Sequence, residues 1–191
     1  MNKSWFVFYT KSRQEKKVNE LLLKRGFEAY LPLQLVMRQW SDRKKKVEVP
    51  LFNSYIFVNV EEHLIQDVLQ VPGVAWNIRL NGKPAVLHQR ELDIIRRFIA
   101  TGLLIETHGT DETYAVGDWV KVMDGPLKGT DGILIDFHNK EYFAIVLEAI
   151  GQTITVQLDR QIVRKLTEKE AIGLQKLQKS ALLSKKTTRK V

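Results

Sequence analysis

Apolar residues recur along this chain with two periods, and the switches between them predict its elements. Trp5, Phe6, Val7, Phe8 and Tyr9 form a short aromatic and β-branched run, the composition of a buried strand. Ser12-Arg13-Gln14-Glu15 reads as a capping box opening a helix. Val18, Leu21 and Leu22, with Leu23 beside them, supply its apolar stripe, and Gly26 its stop. Strands are expected over about 28–40 and 47–60, joined by the polar Ser41-Asp42-Arg43-Lys44-Lys45-Lys46. A second helix from His63 to Leu69 ends near Val71-Pro72-Gly73. Strands around 74–79 and 85–87 flank Asn81-Gly82, a hairpin turn signal. Leu92, Ile95 and Ile99 are spaced for a third helix, with Phe98 beside them. This order predicts an α+β fold, an α/β sandwich with one layer of helices on a sheet, over residues 1–100.

The pattern changes after that. Residues 101–113 have no clear period and are expected to be a linker. Residues 114–166 alternate over short stretches between turn residues, which predicts five strands in a small β-barrel. Val120 and Val122 alternate with Lys121 and Met123; Asp124-Gly125-Pro126 turns the chain; Gly129 and Gly132 precede Ile133, Leu134 and Ile135. Residues 167–191 form an extension with a short helical stretch over 168–183 and a basic tail from Lys185 to Val191.

Charge divides along the same boundaries. The net +8 splits into +7 over residues 1–100, −4 over 101–166 and +5 over 167–191. A basic first half points to nucleic acid or an acidic surface, while the acidic middle argues against a second strong nucleic-acid binder. Without cysteine, disulfides and thiolate metal sites are excluded, which fits a reducing, cytoplasmic setting. No apolar run approaches the roughly 18 residues of a membrane helix, and the N-terminal apolar stretch is too short for a signal peptide. His63, His88, His108 and His138 are scattered without metal-ligand spacing. No nucleophile–base pair or phosphate-cradling loop is visible, so an enzyme, a metal site and a cofactor are not expected.

The stretch from Val116 to Gly132 resembles the KOW module, a small β-barrel of transcription elongation factors and ribosomal proteins. Four further blocks, in order, resemble the bacterial NusG family: Trp5 to Tyr9 with Glu15; Pro50 to Val58; Val71-Pro72-Gly73-Val74; and Glu148 to Thr153 running to Val156-Gln157-Leu158. The resemblance covers roughly residues 4–166. It implies an NGN-type domain that binds RNA polymerase, followed by a KOW domain. Where the family usually has Phe-Pro-Gly-Tyr this chain has Phe52-Asn53-Ser54-Tyr55. That departure, Leu31-Pro32 and the basic hairpin look more like RfaH-like or UpxY-type antiterminators of polysaccharide operons.

The resemblance also implies sites. Tyr9, Phe52, Tyr55 and Phe57, with Leu92 at the rim, stand where the family receives the polymerase clamp helices. From alternation alone the same residues also read as sheet core. Lys11, Arg13, Gln14 and Lys17 stand where specialised members read non-template DNA, Gln14 as a candidate for a base-edge hydrogen bond. Arg43, Lys44, Lys45 and Lys46 are candidates for phosphate contacts to upstream DNA, against the bland reading of a solvated face. Trp40 is expected to be buried beside them, the alternative being that it stacks on a base. Gln66-Asp67-Val68-Leu69 replaces a hydroxyl-rich polymerase-contacting segment, which puts that contact in doubt. Phe143, Ile150 and Gly151 stand at the KOW edge that binds Rho or a small-subunit ribosomal protein, or belong to the barrel core. The expected protein is a monomeric elongation factor; the alternative is an RNA-binding or ribosome-associated KOW protein.

Overall fold

The structure is a computed structural model that describes residues 2–40, 43–109, 117–137 and 140–174. Its chain divides into two compact units, Met1–Leu104 and Ile105–Val191.

The first unit is built around β1 (Ser4–Thr10). β5 (Tyr55–Val60) pairs antiparallel along one side of it, and β2 (Glu28–Tyr30) lies outside β5. The other side of β1 is shared end to end by β6 (Val74–Asn77) and β9 (Val86–Leu87). The small hairpin of β7 (Arg79–Leu80) and β8 (Lys83–Pro84) leaves and re-enters between them. Val7 bridges the gap by donating to Ala85 O and accepting from Ile78 N–H. β3 (Leu33–Gln39) and β4 (Lys44–Pro50) pair only with each other and form a separate two-stranded arm.

Strand parity sorts the core. Phe6, Phe8, Ile56, Val58 and Val60 face one way and pack with Val18 and Leu22 of α1 (Glu15–Lys24) and Ile65 and Val68 of α2 (Ile65–Leu69). α3 (Gln89–Ala100) lies on the opposite face. Its Arg96 guanidinium sits 5.3 Å from the centre of the Tyr30 ring, and Tyr30 stacks on Phe57 at 6.4 Å. Leu92, Ile95 and Phe98 are fully buried beneath α3. The expected single layer of helices is therefore corrected to helices on both faces, because α3 carries its own apolar stripe to the second face.

Three local expectations also change. The run 28–40 is broken at Pro32, which supplies no amide to a ladder, and splits into β2 and β3. The run 47–60 is broken by a turn at 51–54, where Ser54 has φ 64°. The helix starts after Gln14, with no side-chain cap from Ser12; Glu15 is used elsewhere.

The second unit is one six-stranded antiparallel sheet in the order β10-β14-β13-β12-β11-β15. The strands are β10 (Ile105–Gly109), β11 (Asp118–Val122), β12 (Asp131–Phe137), β13 (Lys140–Leu147), β14 (Gln152–Val156) and β15 (Val163–Lys165). Residues 105–109, expected in the linker, add a strand by pairing with β14. Among the described residues no ladder joins β10 to β15, so the hydrogen bonds describe an open sheet and not the closed barrel expected over 114–166. Thr153, Ile154, Thr155 and Val156 are consecutive and all buried, so β14 is covered on both faces. Gly132 is required where the Phe143 ring crosses β12: a Cβ there would come within 2.5 Å of that ring. A short helix over 168–174 follows. It opens with Thr167 and Glu170 exchanging hydrogen bonds, the reciprocal capping that spares two helix-start donors. The Lys185–Val191 tail and most of the helical stretch expected over 168–183 lie outside the described residues.

Candidate functional site

The end of the first sheet brings three aromatic side chains into register. Tyr9 of β1 is paired with Tyr55 of β5 on one side and with Trp76 of β6 on the other. Cross-strand partners share a face, so the three rings form a row across three strands. Trp76 stacks flat on Tyr9, with centroids 4.4 Å apart and planes 9° from parallel; Tyr55 meets Tyr9 edge-on at 5.4 Å. Trp76 is 53% exposed, and Tyr9 and Tyr55 are half-buried. Large rings held rigid by one another and left open to solvent are the make-up of an interface anchor.

The other expected members of this site have a different place. Phe52, Phe57 and Leu92 are fully buried. Phe52 packs edge-on against Phe57 at 6.1 Å, so these residues form the floor under the rim and offer no surface. Trp76 was missed because its value lies in pairing. The local string Val74-Ala75-Trp76-Asn77 signals only a short strand; its neighbour on β1 is 67 positions away.

A buried carboxylate holds the row in place. Glu15 is 6% exposed, and its Oε1 accepts from the Ser54 amide at 2.8 Å. Ser54 O in turn accepts from Thr10 N–H at 2.8 Å. These bonds fasten the left-handed turn at Ser54 between the ends of α1 and β1, and that turn delivers Tyr55 opposite Tyr9. Glu15 thus serves a donor distant in sequence instead of capping its own helix. Tyr30, on the same face farther along, has its hydroxyl pKa raised, since burial outweighs the opposing pull of Arg96.

Lys11, Arg13 and Lys17 are exposed around the entry to α1. The Lys11 amide donates to Gly73 O, and Gly73 adopts φ 96° directly beneath Gln14. A Cβ on Gly73 would lie 2.7 Å from Gln14 Oε1 and Val18 Cγ2. Gln14 is half-buried against that turn.

The β3–β4 arm carries the second basic group. Arg43, Lys44, Lys45 and Lys46 are exposed, as is Arg38, which the sequence reading did not include. Trp40, expected to be buried, is 56% exposed; Leu35 and Met37 are 62% and 58% exposed. The Trp40 amide donates to Arg43 O at 2.8 Å and closes the arm, while Lys16 Nζ donates to Glu48 O at its base. An arm paired with no other strand has little to bury its side chains against, which is why Trp40 stays in solvent.

In the second unit, Phe143 is fully buried and Ile150 is 6% exposed. The expected partner contact through these two side chains is corrected: Phe143 fills the space above Gly132, and Ile150 folds inward at the β13–β14 turn. Gly151, at φ 63°, is half-buried in that turn. Among the described residues no cluster of three or more His, Asp or Glu side chains is arranged to hold a metal, and no helix is long and apolar enough to cross a membrane.

The chain is similar to known proteins in sequence and in fold. The family described as "Transcription termination factor nusG" matches residues 3–96. The chain is 24% identical over 179 residues to the transcription termination/antitermination protein NusG of Streptococcus pyogenes, covering 86% of this chain and 97% of that protein. It is 25% identical over 173 residues to the Lactococcus lactis protein of the same name, covering 83% and 90%. A solved structure described as "Domain interaction in Thermotoga maritima NusG" is similar in fold, with TM-score 0.51 at 23% identity, covering 86% of this chain and 98% of that one.

Proposed function

We propose that the chain is a NusG-type transcription elongation regulator acting as an antiterminator, a reading supported by the family match over residues 3–96 and by the relatives at 24–25% identity. Its partner is RNA polymerase, and the row Tyr55–Tyr9–Trp76 is its docking surface for the tip of the clamp helices. The observation that carries this reading is the stacking itself. The rings support one another across three strands, so little conformational entropy remains to be lost when a helical tip covers them.

Docked there, the +7 first hundred residues lie beside the upstream DNA, with Lys11, Arg13, Lys17 and the arm placed for phosphate contacts. The protein bridges the polymerase cleft and binds its active conformation better than its paused one. Only such a difference in affinity shifts the balance between the two states. The departure Phe52-Asn53-Ser54-Tyr55 and the basic arm support a specialised role at particular operons. The second unit recruits or excludes a further factor through the surface around the Gly151 turn.

The test is capture of the full chain by immobilised core RNA polymerase. Tyr55→Ala, with its fold checked by circular dichroism, is expected to lose about tenfold or more in affinity, the ordinary cost of truncating an aromatic anchor. Undiminished capture by a folded Tyr55→Ala protein contradicts the proposed face.

A further inference from the structure

The β3–β4 arm carries cations on both faces. Its register sets Met37 opposite Lys46, Arg38 opposite Lys45 and Gln39 opposite Lys44. Partners across a ladder share a face and neighbours along a strand alternate. Lys44 and Lys46 therefore stand on the face of Leu35 and Met37, while Arg38 and Lys45 stand on the other. All four cations are exposed, and none has an acidic partner among the described residues. Arg38 directly opposite Lys45 is a like-charge pair, which destabilises an isolated ladder.

A ribbon meant to lie flat on a charged surface needs cations on one face only. Cations on both faces suit a space with negative charge on two sides. We propose that this arm lies in the major groove of duplex DNA, with Lys44 and Lys46 meeting the phosphates of one wall and Arg38 and Lys45 those of the other. The proposal rests on the reading of the arm as a nucleic-acid contact and specifies how that contact is made. The dimensions select the ligand. The B-form major groove, about 12 Å wide, admits a two-stranded ribbon, whereas the minor groove, about 6 Å wide, does not. The major groove of duplex RNA is too deep and narrow for side chains to read. B-form DNA is accordingly the ligand, and duplex RNA the control.

The experiment measures binding of the full chain to a mixed-sequence DNA duplex by fluorescence anisotropy across a salt series. Two double variants are compared, Lys44→Gln with Lys46→Gln and Arg38→Gln with Lys45→Gln. Each is expected to make the log–log salt slope shallower by about 1.8, two phosphates at roughly 0.9 each. On the unaltered chain, the major-groove dye methyl green is expected to displace DNA binding, and the minor-groove ligand netropsin to leave it intact. Duplex RNA of the same sequence is expected to bind more weakly. A slope change from one pair alone, displacement by netropsin, or equal affinity for duplex RNA overturns groove entry while leaving the nucleic-acid contact standing. No slope change from either pair, or no duplex binding at low salt, overturns both. The dye competition uses no variant, so the proposal stays testable even if a substitution disturbs the arm.

Discussion

Two places in this chain pair aromatic residues with a tight turn and are expected partner sites: the end of the first sheet, and the β13–β14 edge of the second. The structure treats them oppositely. At the first, Tyr9, Tyr55 and Trp76 fall on one face of three neighbouring strands and remain open to solvent. At the second, Phe143 and Ile150 are buried, and the turn that follows Ile150 leaves Gly151 half-buried. The difference does not lie in residue type. β14 is covered on both faces and Phe143 packs against Gly132, so that ring becomes core, while Tyr142, its neighbour on β13, stays half-buried. The sheet of the first unit is covered by α3 on the Tyr30 side but not at its Tyr9 end. Binding surface is what packing leaves uncovered.

Phe143→Ala should separate the two places most strongly. Removing a fully buried ring costs about 3–5 kcal/mol, enough to abolish or sharply lower the thermal transition of the second unit. Calorimetry of the full chain checks this, and an unchanged trace would mean the ring is not core. Glu15→Ala should come next. It strips the buried Ser54 amide of its acceptor, at about 1–3 kcal/mol, and loosens the turn that delivers Tyr55. Chemical denaturation measures the loss. Glu15→Gln, which keeps an acceptor oxygen, should recover part of it, and equal losses for the two variants would argue against the hydrogen bond as the cause.

Much of this was legible in the sequence, for reasons that differ by element. Tyr55 and Phe57 on one face and Ile56 and Val58 on the other follow from the strand period alone, and the structure has them so. α1 and α3 follow from their apolar spacing. What lay hidden required long-range pairing. Trp76 joins Tyr9 only through the β1–β6 ladder, and Glu15 reaches Ser54 across 39 residues. The string Ser12-Arg13-Gln14-Glu15 satisfies a local capping rule, and tertiary demand for a carboxylate at Ser54 won instead. Strand β10 was invisible because 105–109 lacks a period of its own and gains order from β14.

Smaller effects sharpen the comparison further. Ser54 holds φ 64°, a conformation that costs a residue with a Cβ about 1 kcal/mol. Ser54→Gly should therefore stabilise the first unit by up to roughly that amount, while the equivalent turn in the second unit already has Gly151 and nothing to gain. A fall in the denaturation midpoint on Ser54→Gly would show that the hydroxyl matters more than the strain. The smallest effect concerns pH. The Arg164 guanidinium, and then the Thr167 amide and hydroxyl, hold the Glu170 carboxyl at about 2, below its ordinary 4.5. A depressed pKa means the cap is in full force above about 4.5 and is lost as pH falls through about 2. Amide shifts of residues 168–174 followed by NMR should change in that window, with no comparable step near neutrality.

The measurement that bears most directly on the account is the affinity of the full chain for core RNA polymerase, compared among the parent, Trp76→Ala and Phe143→Ala. Trp76 is half-exposed and stacks on Tyr9, so its loss should leave the unfolding midpoint nearly unchanged while weakening polymerase binding about tenfold or more. Phe143→Ala should do the reverse, unfolding the second unit and leaving polymerase affinity within about twofold of the parent, well under the 1.4 kcal/mol of a tenfold change. Full polymerase affinity in a folded Trp76→Ala protein, together with loss of binding in Phe143→Ala, would contradict the assignment of the docking face to the first sheet.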